Sequence, residues 1–225
     1  MTDFPTQSKA YALEAWRQRH ARSMTWLGAP VEQMPEDLIR IQELIVQVKP
    51  AVIVETGVQW GGSVLYYASL LSLIGNGIVV GIDNHYRPEA SAAIEQSSVK
   101  DRIWIREGDS ADPDIARRIR SFVGERAPCM VILDSDHRFA HVLAELEAYA
   151  PLVTPGSYAV VCDTIMADLE DENPDWLTDN PAAAIDTFLS THPGFARVQP
   201  LRPYDQSRSH GSVSHWPGGY LKRHA

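Results

Sequence analysis

The chain has 225 residues, 44% of them hydrophobic and 22% charged, with a formal net charge of −9; that length suits one α/β domain with a full core and is too short for two ordinary ones. The acidic balance, with a pI near 5.3, argues against nucleic acid or an anionic membrane as the main partner. No stretch approaches the ~20 apolar residues that cross a bilayer, the first residues lack the basic and apolar regions of a secretory signal, and Cys129 and Cys162 fall in predicted core strands as reduced thiols. The expectation is therefore a cytoplasmic protein.

Residues 6–21 contain no Pro or Gly and predict an N-terminal helix outside the main unit, with Tyr11, Ala15 and Trp16 on one face. Residues 24–34 read as an irregular, partly apolar loop, so that 1–34 form a helix-and-loop extension and 35–225 the main domain. Pro35, Glu36 and Asp37 open a helix to Val48, and its Leu38, Ile41, Leu44, Ile45 and Val48 recur at helical spacing as a core stripe. Strands are expected at 51–55, 78–83, 102–107, 129–134 and 157–163, with helices at 63–74, 88–97, 113–123 and 138–149 between them. This alternation predicts a Rossmann-like α/β fold, a mostly parallel sheet covered by helices on both faces. The acidic, aperiodic segment 165–180 reads as a mobile flap at the mouth of a site. A helix follows at 181–190, then two antiparallel edge strands at 195–200 and 219–223, joined through a polar stretch at 202–217 that is expected to be disordered.

The chemistry is concentrated at strand ends. Ile53-Val-Glu-Thr-Gly-Val-Gln-Trp-Gly-Gly-Ser63 is a strand, a glycine turn and a helix start. Gly57 permits the turn, and Gly61 and Gly62 let a ligand approach main-chain N–H groups at a helix N-terminus. It is neither a P-loop nor the dinucleotide fingerprint, because no Gly-Lys-Ser/Thr follows and position 59 is Gln. Asp83 follows Gly57 by 26 positions, where a βαβ unit places the acid that accepts hydrogen bonds from ribose hydroxyls. Such a ribose belongs to NAD and to S-adenosylmethionine alike; Glu55 and the Gly108-Asp109-Ser110 turn suit the cationic sulfonium cofactor better than a pyrophosphate. Glu55, Gly57, Gln59, Ser63, Asp83, Asp109 and Ser110 are the candidate cofactor-binding residues. Glu55, Asp83, Asp109, Asp134 and Asp163 all fall at or just past strand ends on one rim of the sheet.

A second constellation joins Leu133-Asp-Ser-Asp-His137 to Cys162-Asp-Thr164. Carboxylates of Asp134 and Asp163 on neighbouring strand ends can converge on one hard cation, which would lower the pKa of a substrate hydroxyl. His137 is placed to take that proton as a general base, with Asp134 beside it, whereas His141, one turn on, is expected to pack under its helix.

Glu55-Thr-Gly-Val-x-Trp-Gly-Gly-Ser63, Gly81-Ile-Asp83, Leu133-Asp-Ser-Asp-His137, Pro151-Leu-Val-x-Pro-Gly-Ser-Tyr158, Pro217-Gly-Gly-Tyr-Leu-Lys-Arg223 and the upstream Trp26–Asp37 segment together resemble the CmcI-like and rhamnosyl O-methyltransferase family. The resemblance covers about residues 24 to 223. It implies a class I methyltransferase domain over 35–225, S-adenosylmethionine as donor, and a divalent metal, with a small-molecule hydroxyl (of a sugar or a natural product) as acceptor. More distantly the chain is similar to metal-dependent macrolide sugar O-methyltransferases, where the residue matching His137 is the base and an acidic pair stands where this chain has Cys162-Asp163. A thiol is a poor Mg²⁺ ligand. Three arrangements stay open: Mg²⁺ on Asp134, Asp163 and waters or the Thr164 hydroxyl; a softer metal; or acid–base work by His137 and Asp134 alone. Two other functions are also compatible with the residues, an NAD-dependent oxidoreductase and a non-catalytic cofactor-binding accessory protein, and a homo-oligomer is compatible with either.

Overall fold

The computed structural model describes residues 3–199, 202–206 and 212–224. The chain begins with helix α1 (Phe4–Arg17), a short 3-10 turn (His20–Ser23) and a two-stranded antiparallel ribbon, β1 (Thr25–Trp26) and β2 (Ala29–Pro30). The loop expected at 24–34 is thus partly a hairpin, with Leu27 and Gly28 at positive φ supplying its turn. Helix α2 (Pro35–Val48) follows at the expected bounds. After it come β3 (Val52–Thr56), α3 (Gly62–Leu73), β4 (Ile78–Asp83), α4 (Pro88–Glu95), β5 (Ile103–Glu107), α5 (Pro113–Val123), β6 (Cys129–Leu133), α6 (Phe139–Tyr149), β7 (Tyr158–Val161), α7 (Pro181–Thr191), β8 (Phe195–Arg197) and β9 (Tyr220–Arg223).

The main sheet has seven strands in the order β5-β4-β3-β6-β7-β9-β8. The first five are parallel, and β9 pairs antiparallel with both β7 and β8, so the expected Rossmann-like sheet with an antiparallel edge is the architecture observed. Strand order reverses beside β3. A crevice opens beyond the carboxyl ends of β3, β4 and β6 at such a point.

Both faces of the central strands are buried, as the near-continuous apolar runs require. Ile53, Met130, Ile132 and Val160 pack on one side with Ile41, Leu44, Ile45, Leu65, Tyr67 and Leu71 of α2 and α3. Val52, Val54, Val131 and Val161 pack on the other with residues of α5, α6 and α7, such as Ile119, Leu146 and Phe188. Each fully buried aliphatic side chain contributes about 1.5–3 kcal/mol.

Three expectations need correction. In α1 the inward face is Ser8, Ala12 and Ala15, while Tyr11 is half exposed; small residues let the helix approach closely, and the large ring stays outside. The segment 165–180 is not a loose flap: it forms 3-10 turns at Thr164–Asp168 and Pro174–Leu177. Ile165 and Leu169 are buried against Ala12 of α1, and Asp168 pairs with Lys9 while Asp171 and Glu172 pair with Arg17. The acids hold this segment to α1. In the stretch 202–217, Ser214, His215 and Trp216 are buried, because Asp37 accepts the His215 N–H at 2.9 Å and the Ser214 hydroxyl at 2.5 Å. The disorder expected at 207–211 falls on residues outside the described ones.

Candidate active site

The strand ends of β3, β4, β5, β6 and β7 surround a cavity of about 550 Å³, within the range of small-molecule sites. Gly57, Gln59, Ser63, Asp83, Asp109, Ser110, Asp134, His137 and Asp163 all line it, so nine of the candidate residues share one space.

The glycine turn is built for close approach. Gly57 has φ +83°, and a Cβ there would sit 2.0 Å from the Asp134 carbonyl oxygen; at Gly62 it would sit 2.2 Å from that of Pro30. Gly57 N–H donates to Ile82 O at 2.8 Å and Asp134 N–H to Thr56 O at 3.0 Å, which stitches the ends of β4, β3 and β6 together. Gln59 and Glu32 on the cavity wall, and Asp163 at its floor, also hold positive φ without being glycine. Such backbone strain gathers at functional sites.

Asp83 anchors the turn. One carboxylate oxygen accepts the N–H groups of Val58 and Gln59, each at 2.8 Å, and the other accepts from His85 N–H at 2.7 Å. The acid expected for ribose therefore also fixes the loop that faces the ligand. Glu55 departs from its expected role. It is fully buried and absent from the cavity wall, lying beneath it by Tyr67, and burial reinforced by Asp134 raises its carboxyl well above the ordinary carboxylate range. A side chain in mid-strand, alternating with Thr56, points into the α2–α3 layer rather than out of the strand end.

At the ends of β6 and β7, one ligand atom each from Asp134, His137 and Asp163 lie within 4.8 Å of one another. His137 Nε2 is 3.2 Å from Asp163 Oδ2. Burial pushes the Asp163 carboxyl up to about 6, reinforced by Asp134 and opposed by His137; burial raises Asp134 too, opposed by His137, by Gln33 and by the Cys162 thiol. Gln33 Nε2 donates to Asp134 Oδ2 at 3.0 Å. Two carboxylates and an imidazole at this separation fit a divalent cation. Cys162 is fully buried, its thiol is pushed well above the ordinary range by burial and nearby acids, and it is not one of the three residues whose ligand atoms cluster. Thr164 also departs from expectation: its hydroxyl donates to Pro217 O at 2.9 Å, and it is buried and not among the residues that line the cavity.

Several wall residues were not singled out in the sequence. Trp16, Arg22, Val31, Glu32 and Gln33 come from the N-terminal segment, and Arg87 from beyond β4. Trp60 is held between them: its indole N–H donates to Glu32 at 3.1 Å, and Arg87 stacks over its ring at 4.3 Å. Gln33 had a signal, a polar residue in the Trp26–Asp37 segment of the family pattern. Trp16 had none, because only the tertiary packing of α1 carries it to the cavity. No residue of 165–180 lines the cavity, and Trp176 makes an edge contact with Trp16 at 6.4 Å.

A reversed-order parallel sheet with an antiparallel edge, a glycine turn after its first long strand and a strand-end acid on the next define the class I methyltransferase fold. The chain belongs to the Rhamnosyl O-methyltransferase/CmcI family, whose model matches residues 18–224. It is 32% identical over 164 residues to a rhamnosyl O-methyltransferase of Mycobacterium leprae, covering 71% of this chain and 69% of that protein. It is 32% identical over 142 residues to one of Mycobacterium tuberculosis H37Rv, of which the match spans 56%. In fold it is similar to a solved CmcI structure described as a Mg-SAM form, with a TM-score of 0.62, 20% identity, and coverage of 91% of this chain and 78% of that one. Family membership removes the oxidoreductase reading. No helix among the described residues is long and apolar enough to cross a membrane.

Proposed function

We propose that this protein transfers the methyl group of S-adenosylmethionine to a hydroxyl of a small molecule, a sugar or sugar-bearing natural product, with a divalent metal held by Asp134 and Asp163 and His137 beside it as the base. The observation that carries the reading is the convergence of the glycine turn and the three ligand atoms on one cavity. The names of the relatives support the sugar, and the net charge of −9 supports a small acceptor over nucleic acid or an anionic membrane. Two free thiols agree with a cytoplasmic setting.

In this reading the turn amides, the Ser63 hydroxyl and Asp83 hold the donor, with Asp109 at the far wall. Bound metal supplies a Lewis acid that lowers the pKa of the acceptor hydroxyl. Asp134 and Asp163 would hold that metal, and His137 removes the hydroxyl proton. The acceptor oxygen forms a bond to the methyl carbon as the carbon–sulfur bond breaks, its electron pair passing to sulfur. Such a displacement depends chiefly on positioning. Gln33 positions Asp134, and Trp16 and Trp60 offer apolar faces to a ring acceptor.

The test is transfer of labelled methyl from S-adenosylmethionine to a panel of rhamnose-containing and other glycosides, with Mg²⁺ and with EDTA. The proposal expects metal-dependent label in a glycoside. Absence of transfer to every hydroxylated acceptor, with the donor bound normally, would reject it in favour of an accessory role.

A further inference from the structure

Asp163 reaches the cluster of ligand atoms from a backbone conformation that a residue with a Cβ seldom adopts. Its φ of 55° and ψ of 26° lie in the left-handed region. β7 ends at Val161, and Cys162 N–H still donates to Leu133 O at 2.9 Å, which keeps the chain beside β6. The left-handed step at Asp163 then turns the chain into the 3-10 turn Thr164–Asp168, where Met166 N–H donates to Asp163 O at 3.1 Å. A strand continued through this position would run on past the end of the sheet. The turn instead leaves the carboxylate at the cavity floor, its ligand oxygen within 4.8 Å of those of Asp134 and His137.

Such a conformation persists only where its surroundings over-determine it, and here they come from the far end of the chain. The Thr164 hydroxyl donates to Pro217 O at 2.9 Å, and Ile165 N–H donates to His215 O at 3.0 Å. Both residues after Asp163 are thereby tied to the segment 213–217, which is itself fixed at two ends. Asp37 of α2 is fully buried and accepts the Ser214 hydroxyl at 2.5 Å and the His215 N–H at 2.9 Å. The Ser214 oxygen in turn accepts Trp216 N–H at 2.8 Å. At the other end Gly219 N–H donates to Trp216 O at 3.0 Å, and Val161 N–H donates to Gly219 O at 2.8 Å. A Cβ at Gly219 would sit 2.1 Å from Val161 O, so glycine is what brings this segment against β7.

Thr164 supplies the side-chain tie between this frame and the ligand. It is 2% exposed and does not line the cavity, so it acts on the site through the backbone of its neighbour. We propose that Thr164 is a positioning residue for the metal site, its bond to the Pro217 carbonyl locking the left-handed backbone of Asp163 and holding that carboxylate in place opposite Asp134. The inference rests on the metal reading given above. Partners that orient a ligand from outside the coordination sphere commonly change metal affinity by about 10- to 100-fold when removed.

The test is the Mn²⁺ affinity of the intact protein without donor, read from the electron paramagnetic resonance signal of the free ion, because Mn²⁺ takes the same oxygen-rich sites as Mg²⁺. Thr164→Val keeps the branched shape and removes the hydroxyl. It is expected to weaken Mn²⁺ binding by about 10- to 100-fold with S-adenosylhomocysteine affinity near native. Thr164→Ser, which keeps the donor, should stay near native for both. Native Mn²⁺ affinity in Thr164→Val, or an equal loss in Thr164→Ser, overturns the inference and leaves the metal reading standing. Parallel loss of S-adenosylhomocysteine binding in Thr164→Val also overturns it, since that marks a general distortion. Failure of the native protein to bind Mn²⁺ overturns the metal reading, and the inference with it. Unliganded melting curves identify a variant that fails to fold. Should Thr164→Val be one, Ser214→Ala, which frees the same segment at its α2 end, is expected to weaken Mn²⁺ binding by at least about tenfold, and native affinity there overturns the inference.

Discussion

His137 Nε2 stands 3.2 Å from Asp163 Oδ2, so the candidate base and a candidate metal ligand meet across the ends of two parallel neighbours, β6 and β7. The contact links metal affinity to pH. Asp163 is held up to about 6 by burial, and a ligand must lose its proton before it can bind a cation. Mg²⁺ affinity measured by calorimetry is expected to rise as pH increases through about 6. Asp163→Asn should weaken binding and flatten that rise, and an affinity independent of pH across the window would count against Asp163 as a ligand.

Replacing the base separates chemistry from binding. His137→Ala is expected to lower turnover by roughly 10²–10⁴-fold with S-adenosylhomocysteine affinity near native. Parallel loss of both would show that His137 shapes the donor site instead.

Asp83 holds the turn through two charge-assisted hydrogen bonds to Val58 and Gln59 N–H groups. Asp83→Ala is expected to cost about 1.5–3 kcal/mol of stability and to weaken donor binding. Asp83→Asn, which keeps one acceptor oxygen, should recover part of each in denaturant unfolding and calorimetry. Native stability in Asp83→Ala would exclude the anchoring role.

His215 gives an acid limb to stability. Burial lowers it from 6.5 to about 4, so the unfolded chain binds a proton in that window that the folded one refuses. Its contribution is present above the unfolded value and is lost as pH falls through the folded one. His215→Phe should therefore unfold less steeply with acid between those two values. Asp37, which binds the same segment, is raised from 3.8 to about 7 by burial. The sign is opposite: its contribution is full below the unfolded value and is lost as pH rises through about 7.

The acids of 165–180 make a contrasting case. Asp168, Asp171 and Glu172 are engaged by Lys9 and Arg17 of α1, and none lines the cavity. Exchanging them for amides is expected to leave acceptor preference unchanged in a methyl-transfer panel. A changed preference would mean that this segment reaches the acceptor after all.

Periodicity made the sheet legible, because parallel strands buried on both faces must be apolar throughout, and the alternation with helices then dictates their direction. The strand-end acids were legible for the same reason: Asp83, Asp134 and Asp163 follow apolar runs, and the sheet brings such positions to one rim. Glu55 was misplaced because it sits within β3, not past it, and strand alternation turns it inward. The hydroxyl partners of Thr164 and Ser110 were not legible because such a partner is a tertiary fact; Pro217 and Glu145 are 53 and 35 residues away. The acidic run at 165–180 read as a mobile flap because Lys9 and Arg17 carry no local mark of their partners.

The central claim is that donor and metal share one cavity. Mn²⁺, which takes the same oxygen-rich sites as Mg²⁺, is paramagnetic, so the most direct measurement is the NMR line width of the ¹³C-methyl group of S-adenosylmethionine bound to the protein as Mn²⁺ is added. The account expects strong broadening in the native protein, lost in Asp163→Asn while the methyl donor stays bound. A bound methyl that remains sharp in Mn²⁺-saturated protein would contradict it.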